Sequence, residues 1–157
     1  MDDKNICYTF EAAVELAVRM EDEGFHHYLT AIRTVQNKGA QEILRESALD
    51  ELEHKHKLEK ALLDGSMSGD GQLSRRVPTM KLDYVLAKKE LKPHSDVRET
   101  LAYAIHLETN AIAFYRRMAE GCSGAPMASV FEGILADEAR HLQSLEDLYE
   151  QHFLTEN

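Results

Sequence analysis

Two short stretches carry the residues best suited to chemistry. In "ALDELEHKHKL" (48–58) and "LADEARHLQSL" (135–145) a glutamate precedes a histidine by three positions, as Glu51 with His54 and Glu138 with His141. On a helix that spacing sets both side chains on one face, where a carboxylate and an imidazole either share a metal ion or face water together. The first stretch also holds an overlapping frame, Glu53 with His56. The register between the stretches separates the two frames. An offset of 87 residues, 51 to 138, aligns Asp50 with Asp137, Glu51 with Glu138, His54 with His141 and Leu58 with Leu145. Carried without a gap to the rest of the chain, the same offset aligns Glu21 with Glu108 and Tyr28 with Tyr115. Glu53 and His56 fall on Arg140 and Gln143, so only the Glu51/His54 frame repeats.

Acidic residues fill 28 of 157 positions, so a single Glu-x-x-His pair is unremarkable; the joint repeat points instead to an internal duplication. A duplication preserves a solvated acidic face as readily as a site, and the neighbours decide between them. Glu108 shares its helix face with Leu101, Ala104, Ile105, Ile112 and Tyr115, and Glu138 and His141 share theirs with Phe131, Ile134, Leu145 and Leu148. These are core-facing stripes. An ionised glutamate there costs several kcal/mol unless paired or coordinated, and four converging carboxylates repel one another. Few basic residues lie on those faces, so the expected counter-charge is a metal rather than a polar core.

Two glutamates from the first and third helices, with a Glu-x-x-His unit from the second and fourth, form the ligand set of carboxylate-bridged di-iron and di-manganese bundles. The expected ligands are Glu21, Glu51, His54, Glu108, Glu138 and His141. Two divalent ions balance four carboxylates, with the imidazoles neutral, and oxidation adds charge that an oxygen-derived bridge neutralises. That balance favours redox chemistry with oxygen or peroxide. Hard oxygen ligands with two imidazoles suit iron or manganese, and zinc also binds such a set. A ligating histidine needs an acceptor for its other nitrogen, and the repeated Asp50 and Asp137 suggest crossed pairs, Asp137 with His54 and Asp50 with His141; the alternative is that both are exposed helix acids. Tyr28 and Tyr115 either hydrogen-bond the bridging carboxylates or act as one-electron donors, or they are core aromatics satisfied elsewhere.

The elements that position these residues are helices. Apolar residues recur at three- and four-residue intervals over four long stretches, and proline is nearly absent, which makes the class all-α. The first helix is expected from about Thr9 to a break at Lys38-Gly39, and the second from about Ala40 to Asp64, stopping at Gly65. A Gly- and Ser-rich connection over 66–95 has room for one short helix before Pro93. The third helix opens after Asp96, which can form a capping box with Glu99, and ends near Gly121; Pro126 suits the first turn of a fourth reaching about His152. Two helices, a long connection and two more helices give a ferritin-like four-helix bundle with one crossover between helices 2 and 3, internally duplicated; an up-down bundle with a long middle loop is the alternative.

The bulk numbers set the outer limits. A chain of 157 residues, 43% hydrophobic, suits one domain spanning 1–157 with one core. A net charge of −10 argues against nucleic acid or an anionic membrane as partner. No apolar run is long enough to span a bilayer and the N-terminus has no leader-like pattern, so a cytoplasmic location is expected. Cys7 and Cys122 form no CxxC pair and are expected as reduced thiols. His26, His27, His56, His94, His106 and His152 do not repeat and are expected mostly on the surface; Met118 and Met127 are expected as core filler.

At its ligand-type residues the chain resembles the rubrerythrin-like branch of the ferritin superfamily. "RMEDEGFHHY" and "HLETNAIAFY" look like that family's first and third ligand helices, and "DELEH" and "DEARH" like its second and fourth, over nearly all the chain except 66–95. The resemblance implies a non-haem di-iron oxidoreductase that reduces hydrogen peroxide or oxygen while oxidising Fe(II), of the peroxidase or ferroxidase type. Two departures stand out. The paired CxxC motifs of a rubredoxin-like domain are absent, so the electron donor is expected to be external, and Ala111 stands where rubrerythrins carry an extra carboxylate. Bacterioferritins place a haem-ligating Met directly after the second-helix Glu; here it is Leu52, and no haem is expected. A homodimer or larger homo-oligomer is the expected state. The competing functions are iron storage in a multimeric shell and a metal-bound helical interaction module without turnover.

Overall fold

The computed structural model describes residues 10–64, 90–121 and 128–151. They form four helices, α1 (Phe10–Thr34), α2 (Lys38–Asp64), α3 (Val97–Gly121) and α4 (Ala128–Tyr149). Thr9, Gly65, the short helix expected before Pro93, Pro126, Met127, His152 and both cysteines lie outside the described residues or, for that helix, almost wholly so.

The break between α1 and α2 sits at residues 35–37 and not at Lys38-Gly39. Asn37 moves it: its Oδ1 accepts the Ala40 N–H at 3.0 Å, taking up one of the donors a helix start leaves unpaired. Gly39 therefore lies inside the first turn of α2. A Cβ there would stand 3.2 Å from Asn37 Oδ1 and 3.3 Å from Val97 Cγ2, so glycine lets the start of α3 close on the turn. Asp96 caps α3 as its sequence suggests, accepting the Glu99 N–H at 2.8 Å. Helix α4 is α-helical to Tyr149 and continues in π-helical form through 150–151, where the described residues end one short of His152. Tyr149 is the last residue that α4 sinks into the core, where its hydroxyl accepts from Arg98 Nε at 2.9 Å.

Four cross-helix contacts fix the directions of the helices. On α1 and α3, Tyr28 meets Glu108 while Tyr115 meets Glu21, so these helices run antiparallel. On α2 and α4, His54 meets Asp137 while His141 meets Asp50, again antiparallel. The three-residue turn makes α1 and α2 antiparallel, with Asp22 against Lys55. Helix α2 therefore runs parallel to α3, which a long crossover permits and a short loop does not. The chain has the ferritin-like arrangement and not the simple up-down one.

The core divides around the middle of the bundle. One cluster holds Tyr28, Leu44, Leu101, Ala104 and Leu145, and the other holds Tyr115, Phe131, Val14, Ala17 and Leu58. Each residue of the first matches its partner in the second at the 87-residue offset, so the duplication survives as a pseudo-twofold axis through the space between the clusters.

Candidate metal centre

That space is where the polar residues gather. Helix α1 supplies Glu21, α2 supplies Glu51 and His54, α3 supplies Glu108, and α4 supplies Glu138 and His141. All but His141 are buried. Glu53 and His56, the frame that does not repeat, point outward and are exposed. His26, His27 and His94 are exposed as well, whereas His106 is half-buried; Met118 lies in the core.

Two groups bring ligand atoms within 4.8 Å of one another: His54 with Glu138 and His141, and Glu21 with Glu51 and Glu138. Glu138 belongs to both, the position of a bridging ligand. Glu108 stands outside these two groups. The imidazoles of His54 and His141 stack with ring centroids 5.5 Å apart, and His54 Nδ1 lies 2.8 Å from Glu138 Oε1 and 3.6 Å from Glu21 Oε1. Beyond that ion-pair contact, no hydrogen bond reaches Nδ1 of either histidine, either oxygen of Glu138, or Oε2 of Glu21 and Glu108. Buried polar atoms without a hydrogen bond are rare in folded proteins, and six at one point form a donor set of carboxylate oxygens and imidazole nitrogens that fits hard or borderline cations.

The surrounding residues orient this set. The Tyr28 hydroxyl donates to Glu108 Oε1 at 2.9 Å, and the Tyr115 hydroxyl donates to Glu21 Oε1. Each tyrosine thus holds one oxygen of a carboxylate from the other half and leaves the second oxygen buried without a hydrogen bond. Asp137 Oδ2 lies 3.5 Å from His54 Nε2, and Asp50 Oδ2 lies 3.5 Å from His141 Nε2. With a carboxylate at Nε2, the proton of a neutral imidazole belongs there and the Nδ1 lone pair turns to the glutamates, the orientation a metal-binding histidine needs. Both pairs are the crossed ones that the repeat suggests. Changing Tyr115 or Tyr28 to Phe is expected to leave the fold intact and weaken metal binding roughly 10- to 100-fold, as loss of such orienting groups does, measured by competition with a chelator of known affinity.

Burial and mutual repulsion shift the titration of the cluster's acids and bases. Burial pushes the Glu51 carboxyl far above its ordinary range, and the adjacent Glu21, then Glu138 and Glu108, push it further. Glu108 rises through burial and the Glu138 charge beside it. Burial also works to raise Glu138, but its neighbours Glu108 and His54 outweigh burial and draw it down. Burial acts to lower His54, yet the Glu138 and Glu21 carboxylates at its Nδ1 prevail and raise it to about 10. Tyr28 and Tyr115 move well above the ordinary phenol range, through burial first and the Glu108 and Glu21 charges next, so they remain donors. These shifts favour protons on Glu51, Glu108 and His54 in the ion-free centre, and a metal ion binding there would displace them.

Gly24 is a site residue that sequence reasoning passed over. A Cβ there would stand 2.7 Å from Glu51 Oε2, so α1 carries no side chain where the Glu51 carboxylate lies. The signal was available: Gly24 and Ala111 are equivalent at the 87-residue offset, each one turn after a candidate ligand, and both are small. Glycine inside a helix costs up to about 1 kcal/mol relative to alanine, so helix propensity does not account for it. Gly24→Ala is expected to keep or raise the melting temperature of the metal-free protein while displacing Glu51 and lowering the number of ions bound, read by metal analysis beside a thermal melt.

A family model described as Rubrerythrin matches residues 12–149. Searches of curated proteins and of solved structures gave no match. Among the described residues no helix is long and apolar enough to cross a membrane.

Proposed function

From the premise that this chain belongs to the rubrerythrin family, we propose that its four glutamates and two histidines hold two iron ions and that the protein reduces hydrogen peroxide or oxygen with oxidation of Fe(II). The observation that carries this reading is the set of buried ligand atoms without a hydrogen bond between the two core clusters. Glu21, Glu51, Glu108 and Glu138 supply four negative charges and His54 and His141 two neutral nitrogens, a balance for two divalent ions. A ferrous pair held there would supply the two electrons that, with two protons from solvent, reduce hydrogen peroxide to two waters.

The chain's own residues set the conditions for that chemistry. Burial of Glu21, Glu51, Glu108 and Glu138 keeps bulk water from the ligand oxygens and strengthens each charge interaction. Tyr28 and Tyr115 fix the rotation of Glu108 and Glu21 by their hydroxyl protons. Asp50 and Asp137 hold the protons of His141 and His54 at Nε2. The reading includes an external reductant, a homodimeric or larger assembly and a cytoplasmic setting.

The test is anaerobic loading with Fe(II), metal analysis, then titration with hydrogen peroxide or oxygen under stopped-flow absorbance. The expected result is about two irons per chain and about two Fe(II) oxidised per peroxide, far faster than free ferrous ion. A protein that binds no iron, or oxidises it no faster than solution does, refutes the proposal. A mineral-filled shell on size-exclusion chromatography would place storage first.

A further inference from the structure

The duplicated centre is closed on one side and open on the other. His54 has 2% of its side chain exposed, whereas its equivalent His141 has 28%. The acids that face these histidines differ in the same sense. Asp137, outside His54, is held by Lys57 Nζ at 3.3 Å and by the Arg140 guanidinium, so two cations lie over that side. At the 87-residue offset, Lys57 corresponds to Ser144 and Arg140 to Glu53. The hydroxyl of Ser144 turns back to the Arg140 carbonyl at 3.0 Å and does not reach over Asp50.

In place of that cover, a cleft of about 350 Å³ opens between α2 and α4, lined by Glu46, Ser47, Asp50, His141, Ser144 and Leu145 among others. None of its lining residues is a lysine or arginine. His141 joins it to the interior: the same residue lines the cleft and belongs to the ligand group containing Glu138, whose Oε2 has no partner.

We propose that divalent cations enter the centre through this cleft, past Glu46 and Asp50 to His141 and Glu138, while Lys57 and Arg140 bar the opposite side. The inference rests on the metal-centre reading above and adds a direction to it. Acidic residues at an opening with low-dielectric walls raise the local concentration of cations, and a lysine or arginine in the same place repels them. The apolar wall formed by Leu145 and its neighbours offers no ligand that would trap an ion on the way.

The route is tested on the metal-free full-length chain by stopped-flow uptake of Co(II), followed by its visible absorption. Ser144→Lys places on the open side the cation that Lys57 provides on the closed one, and Ser144 is exposed, so the change is accommodated. The expected result is uptake slowed roughly tenfold at low salt, the lower end of electrostatic steering effects, with the slowing reduced at high salt and the final stoichiometry unchanged. The mirror change Lys57→Ser is expected to leave uptake as fast or faster. Equal rates for the unaltered chain and Ser144→Lys, or slowing by Lys57→Ser to the same degree, would overturn the route alone. Failure of the unaltered chain to take up any cobalt would overturn the metal centre together with it.

Discussion

Glu51→Gln abolishes high-affinity metal binding and leaves the metal-free protein as stable as before, whereas Glu138→Gln abolishes binding and also destabilises the metal-free fold. The two glutamates occupy equivalent places in the duplicated halves, so the contrast comes from their surroundings. Burial and the neighbouring Glu21 keep Glu51 protonated when no ion is bound, and a carboxamide reproduces that neutral group in shape and charge. The expected change in unfolding free energy is within about 1 kcal/mol, the range of a well-tolerated exchange. Glu138 is instead the ionised partner of His54, whose Nδ1 lies 2.8 Å away. Removing its charge takes the nearest counter-charge from the buried imidazolium and leaves only Glu21 at 3.6 Å and Asp137 at 3.5 Å, so the cost falls toward the lower end of the about 3–5 kcal/mol seen when one member of a buried pair is lost. Both variants lose a ligand oxygen, and Glu138→Gln takes one from both ligand groups. Metal analysis and chemical denaturation of the two proteins side by side check the pattern; equal stability of the metal-free variants would contradict this assignment of charges.

Removing the ions from loaded protein lowers its melting temperature by roughly 8–16 °C. A ligand that binds only the folded state stabilises it by RT ln(1 + [L]/Kd), about 4 kcal/mol when free metal stands at a thousand times its Kd. For a domain of this size each kcal/mol moves the midpoint by about 2–4 °C. The size of the effect reflects the cost carried by the metal-free state, in which Glu51, Glu108 and His54 retain protons inside the bundle. Calorimetry with and without a strong chelator measures it. Coincident melts would mean that the ions sit elsewhere or that protons satisfy the cluster equally well. Because protons and metal compete for the same atoms, the stabilisation is also expected to shrink as pH falls.

How much of this was legible in the sequence depended on what kind of information each residue carried. Faces were legible, because periodicity and the repeat both report them: the repeat chose Glu51/His54 over Glu53/His56, and the structure buries the first pair and exposes the second. The crossed contacts of Asp137 with His54 and Asp50 with His141 were also legible, since a twofold axis forces such pairs to occur together. Depth was not legible. Gly24 reads as a weak point of α1 until the approach of Glu51 is known, and that approach depends on how closely α1 and α2 pack. The unequal exposure of His54 and His141 was hidden for a related reason, because it follows from the residues in which the two halves differ, Lys57 against Ser144 and Arg140 against Glu53, and the search for likeness passes over differences. Helix ends were missed where one capping side chain decided them, as Asn37 does ahead of Gly39.

The exchanged tyrosines bear on how such a protein arises. Tyr28 holds an acid of the second hairpin and Tyr115 an acid of the first, so one hairpin alone has neither its hydroxyl partner nor its facing imidazole. A molecule of half this length would complete the cluster only by self-association, and holding both halves in one chain avoids the translational entropy that such a meeting costs. Once joined, the copies were free to diverge, one hardening into a wall and the other loosening into a doorway.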